Sequence, residues 1–184
     1  MPEMTGSCTD SFKLDPMNFE VLQALLDYNY WARDRLLDAV AALAPEQFTR
    51  PMGSSFSSVR DTIAHICDAE SIWLSRWNGK QPLGFQSPDR IPDLAAARSE
   101  WAGIESGMRA VLAGLGPEGV TRSIEYKDMR GNPRSDIFWH MLQHLVNHGT
   151  YHRGQVTTLL RQLDAQPAKS MDLIAFYREK QTRA

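Results

Sequence analysis

The longest helically periodic stretch of the chain dictates most of what it can fold into. From a cap at Ser135 or Asp136, through IFWHMLQHLVNHGTYHRGQVTTLLRQL, to about Leu163, apolar residues recur at helical spacing, interrupted only by Gly149 and Gly154. A helix of that length carries an apolar stripe it cannot bury alone, so it needs partners of similar length.

Three other segments supply them. Asp15 as cap and Pro16 at the first helical position open a first helix, with Phe19, Leu22, Leu25, Leu26, Tyr30, Leu36, Leu37, Val40 and Leu43 on its stripe. Ser58, followed three residues later by Asp61, reads as a capping box. It starts a second helix that carries Val59, Ile63, Ile66, Ala69, Ile72, Trp73 and Trp77 up to Asn78-Gly79. A third runs from Leu94 to Leu115, weakened by Gly103 and Gly107 and ended by Gly116-Pro117. Four such stripes are most simply buried in an all-α four-helix bundle.

The connecting segments refine this picture. The Pro- and Gly-rich connection GKQPLGFQSPDRIPD exceeds about 12 residues, a length typical of functional or mobile loops, and is expected to border a site. TRSIEYKDM and RGNPRSD predict a short β-hairpin before the fourth helix. MDLIAFYREK predicts a short C-terminal helix that packs Leu173, Ile174 and Phe176 on the bundle. With 184 residues the chain is read as one domain over residues 15–180, preceded by a flexible arm over 1–14.

Composition narrows the chemistry. Twenty Lys and Arg against 22 Asp and Glu leave a net charge of -2, with the basic residues scattered, so neither nucleic acid nor an anionic membrane is an expected partner. There is no apolar run for a signal peptide or a membrane span, and the expected location is the cytoplasm. Cys8 and Cys67 are isolated and form no CxxC pair, so a metal would need nitrogen or oxygen ligands. Cys67, two residues past His65, points about 200° away on the helix and is expected in the core. No Gly-rich phosphate loop, GxSxG or ExxH pattern is present.

Four of the five histidines, His140, His144, His148 and His152, form a ladder on the fourth helix. Each step of four residues advances about 6 Å and turns about 40°, so two successive rungs can share an ion but all four cannot. The lower pair sits in a polar, small-residue patch of Asn147, Gly149, Thr150, Tyr151, Arg153, Gly154 and Gln155, whereas His140 and His144 read as structural or supporting residues. His65 lies near the apolar Ile63, Ile66 and Ala69 of the second helix and is expected to face inward. Taken singly, each histidine is as well explained as a hydrogen-bonded core residue. Their combination favours a metal site between facing helices.

The segment HLVNHGTYHRGQVTTLLRQL resembles the signature of the DinB/YfiT-like metalloprotein family, and NYWARDRLLDAVAAL and DTIAHICDAESIWL are similar to that family's first two helices. The resemblance spans about residues 16–178 and implies a four-helix bundle with a long crossover connection, often a homodimer. It further implies that His65, His148 and His152 bind a divalent metal, zinc or nickel first, with iron or manganese as alternatives. Characterised members of the family include transferases and isomerases that use low-molecular-weight thiols. The expected function is therefore metal-dependent activation of such a thiol, or of water, toward a small electrophilic substrate. A non-catalytic, metal-binding stress-response or dimeric interaction protein is the alternative.

Around such a centre, Asn147, Tyr151, Arg153 and Gln155 can orient ligands or bind a substrate carboxylate, while Arg153 and Gln155 can equally bridge helices. Asn29 and Trp31, and Glu70 and Trp73, have the same ambiguity between site and core. Asp61 can accept the second ring N–H of His65 or simply cap its helix.

Overall fold

The computed structural model describes residues 17–183, so the arm over 1–14, Cys8, and the cap expected at Asp15-Pro16 lie outside the described residues. The first helix, α1 (Phe19–Val40), is capped instead by Asn18, whose Oδ1 accepts a hydrogen bond from the Val21 amide at 2.8 Å. Pro45 opens a short α2 (Pro45–Thr49), and Phe48 anchors it in the core. Ser58 caps α3 (Val59–Trp77) as expected through a bond from the Asp61 amide. The Asp61 carboxylate turns to Arg60.

After the 78–93 connection, α4 (Leu94–Gly119) is capped by Asp93. It breaks at Gly116, whose φ of 60° only glycine adopts without strain, just where Gly116-Pro117 predicts its end. The hairpin forms as β1 (Ser123–Lys127) and β2 (Pro133–Ile137), antiparallel, with Ser123 opposite Ile137 and Lys127 opposite Pro133. In its turn, the Asp128 carboxylate accepts from the amides of Arg130 and Asn132, both at 2.9 Å.

Ser135 and Asp136 do not cap the fourth long helix. They pair with Glu125 and Ile124 in the hairpin, and α5 (Phe138–Gln162) begins after Ile137 without a side-chain cap. Its first amides are satisfied from outside: Phe138 N donates to Arg122 O and Trp139 N to Val120 O. Strand pairing thus replaces capping at this junction. The last helix, α6 (Leu173–Arg183), buries Phe176, but Leu173 is 38 % and Ile174 55 % exposed, because a single short face meets the bundle.

The four long helices form a ring in which α1 packs on α4, α4 on α3, α3 on α5, and α5 back on α1. The all-α bundle therefore holds, with α1 diagonal to α3 and α4 diagonal to α5. α3 and α5 run antiparallel: Trp77 meets Phe138 near one end, and His65 meets His148 and His152 near the other. Among the described residues no helix is long and apolar enough to cross a membrane.

Candidate metal centre

The antiparallel α3/α5 pair brings His65, His148 and His152 together. His148 Nε2 lies 3.2 Å from His65 Nε2 and 3.1 Å from His152 Nε2, and one nitrogen from each ring falls within 4.8 Å of the others. Two ligands each about 2.1 Å from a shared tetrahedral ion are separated by a little over 3 Å, so the spacing fits a common ion. His152 is buried and the other two rings are half-buried.

Protonation favours the same use. Burial first, then the neighbouring His152, lowers His65 to about 4. Burial, followed by His152, His65 and His144, lowers His148 to about 4. Both rings are neutral near pH 7, with lone pairs free for coordination. For His152 the neighbour orients the ring: Nδ1 sits 2.8 Å from Gln155 Oε1, an oxygen that can only accept, so Nδ1 donates there and Nε2 is the nitrogen turned toward the other rings. The Gln155 amide nitrogen in turn donates to Ser55 Oγ at 3.2 Å.

Two residues that histidine spacing does not reveal complete the surroundings of His65. Phe56, from the loop before α3, stacks on its ring at 4.1 Å between centroids. Phe85, from the long connection, stacks at 5.0 Å. Asp68 fixes that connection by accepting from the Gln86 amide at 3.1 Å and pairing with Arg90 at 3.0 Å. The unusual length of 78–93 was the one sequence signal for Phe85. A cleft of 520 Å³ opens beside His65, lined in part by Phe56, Phe85 and Asp68.

The other residues singled out from the sequence divide between site and scaffold. Tyr151 is 66 % exposed with its ring edge toward His152. His140, His144 and Asn147 line a separate groove with Tyr28 and Met171, though His144 also meets Trp73 edge-on. Trp31 donates to Glu179.

Arg153 lies in the bundle interior, where Nη1 donates to Asn29 Oδ1 at 2.7 Å and Nη2 to Thr150 Oγ1 at 2.9 Å. Asn29 passes the chain on to Glu70, which also accepts from Trp101 at 2.9 Å and Tyr30 at 3.2 Å. Burial raises the Glu70 pKa against the pull of these donors and of Arg153. Gly149 makes room for this network: a Cβ there would sit 2.8 Å from Arg153 Nη1. A Cβ on Gly154 would meet nothing within 4 Å, so its smallness serves no close approach. Cys67 is a buried free thiol, as expected.

Fold and site together define a four-helix bundle with three convergent imidazoles on two antiparallel helices, a donor set that could hold a divalent metal ion. The family model described as "DinB family" matches residues 16–183, and the chain belongs to that family. Among curated proteins it is similar to Protein DinB of Bacillus subtilis (strain 168), with 24% identity over 143 residues, covering 75% of this chain and 83% of that one.

Proposed function

We propose that this protein is a metal-dependent enzyme in which His65, His148 and His152 bind a divalent ion, zinc or nickel first, that activates a low-molecular-weight thiol or water toward a small electrophile. The observation that carries the reading is the convergence of three ring nitrogens, one of them oriented by Gln155. When bound by three imidazoles, such an ion retains an open position and lowers the pKa of a thiol or water there.

The chain's own contributions are positional. Gln155 and Ser55 hold His152 in one tautomer, and Phe56 and Phe85 fix the plane of His65 while limiting water at its faces. The adjoining cleft offers apolar walls for a small substrate.

Metal analysis of protein purified without a histidine tag tests the first part. Wild type is expected to hold one divalent ion per chain, and His65→Ala to lose it; full occupancy at unchanged affinity in His65→Ala would overturn the ligand set. Metal-dependent turnover of a thiol with a model electrophile tests the second. Tight metal binding without turnover across a thiol and ester panel would favour a non-catalytic metal protein.

A further inference from the structure

Every other deeply buried arginine in the bundle has an oxygen to donate to. Arg33 pairs with Asp34 at 2.8 Å and Glu105 at 2.7 Å, and Arg153 bonds Asn29 and Thr150. Arg76, in the last turn of α3, is 7 % exposed, its Nε has no hydrogen-bond partner, and it forms no ion pair among the described residues. Its neighbours are aromatic: the guanidinium carbon lies 4.7 Å from the Trp73 ring centroid and 4.8 Å from that of Tyr126. Ring faces hold the guanidinium plane in place but give its N–H groups no oxygen acceptor. Only Nε is sealed from solvent without a partner; the Nη groups stay accessible to solvent and keep their donors free for an anion.

Arg76 lines a cavity of 590 Å³ between the end of α3, the first residues of the 78–93 connection and the hairpin. Lys80, Lys127 and Arg134 also line it, with Glu125 as the one acidic lining residue. Asp128 pairs with Arg134 at 3.1 Å and acts on Arg76 only through space, with no hydrogen bond or ion pair between them, so no carboxylate is seated on the Arg76 guanidinium. Tyr126 and Pro82 supply apolar wall. The volume suits a small molecule.

We propose that this cavity is a binding site for a small organic anion, whose carboxylate or phosphate group seats on the Arg76 guanidinium with Lys80 and Lys127 beside it. The planar fork of an arginine held between rings matches either group through paired hydrogen bonds. The site is distinct from the histidines, since Arg76 lies eleven residues beyond His65, about 16 Å along α3. It does not depend on the metal reading.

Calorimetric titration of the full-length, metal-stripped protein at low salt tests this with glutarate, glycerol 3-phosphate and the neutral glutaramide. Saturable binding of at least one anion and none of the diamide is expected, and the stronger of the two identifies the group preferred. Arg76→Met should weaken that binding at least tenfold, and metal-loaded wild type should bind the anion unchanged. Absence of saturable anion binding, equal binding of glutaramide, or unchanged affinity in folded Arg76→Met overturns the proposal. Should Arg76→Met fail to fold, the surface double variant Lys80→Gln/Lys127→Gln decides: a several-fold loss supports the site, and unchanged affinity overturns it.

Discussion

Gln155 Oε1 sits 2.8 Å from His152 Nδ1, less than one helical turn away on α5, and thereby turns the other nitrogen of that ring toward His65 and His148. Removing this oxygen leaves the three rings in the sequence but frees one to rotate and change tautomer. Gln155→Leu is expected to lower metal affinity about 10- to 100-fold with the fold intact. Competition against a chromophoric chelator measures it, and an unchanged constant would show that Gln155 does not orient the ring.

Gly149 and Gly154 occupy one helix yet should respond oppositely to alanine. At Gly149 the added methyl meets Arg153 Nη1 at 2.8 Å and Asn29 Oδ1 at 3.1 Å, so overpacking should cost about 1–3 kcal/mol despite the better helix propensity. At Gly154 there is nothing to meet, and Gly154→Ala should stabilise by about 0.5–1 kcal/mol. Urea unfolding of both variants checks the pair; equal effects would contradict the packing.

Glu70 joins α3 to both α1 and α4 through three donors. Glu70→Ala strands Asn29, Trp101 and Tyr30 in the interior and should destabilise by about 3 kcal/mol or more, whereas Glu70→Gln keeps part of the network and should cost less. Denaturant midpoints rank them; a Glu70→Ala protein as stable as wild type would deny the network any structural role.

In metal-free protein His65 and His148 are held at about 4, below the ordinary imidazole value of 6.5. The unfolded chain therefore binds more protons than the folded one between those values. The resulting stability is complete above about pH 6.5 and is lost progressively as the pH falls toward 4. Thermal melts of chelator-treated protein should show a falling Tm over that window, with a flatter profile in His65→Ala. A Tm independent of pH between 7 and 4.5 would mean that the rings are not buried as neutral groups.

The bundle was legible because periodicity and caps are local: the stripes of α1 and α3, the Ser58 cap and the Gly116-Pro117 stop all act within a few residues. The start of α5 was not, since its first amides bond to Arg122 and Val120, and a cap-like Ser135-Asp136 was drawn into the hairpin instead. The grouping of His65 with His148 and His152 was legible through the polar patch around the lower pair and the family resemblance, but Phe56 and Phe85 reach the site on loops, whose paths no spacing encodes. Arg153 and Gln155, two residues apart, diverge because consecutive odd positions on a helix point about 200° apart, one into the interior and one toward His152.

The 78–93 connection carries obligations to two sites. Gly79 through Pro82 wall the Arg76 cavity, while Phe85 lies on the His65 ring and Asp68 pins the residues that follow it, Gln86 and Arg90. Adding or deleting a residue there would shift the mouths of two separate pockets at once. The length of this segment is thus a shared dimension of the molecule, and relatives that alter it should differ in what they accept at both places.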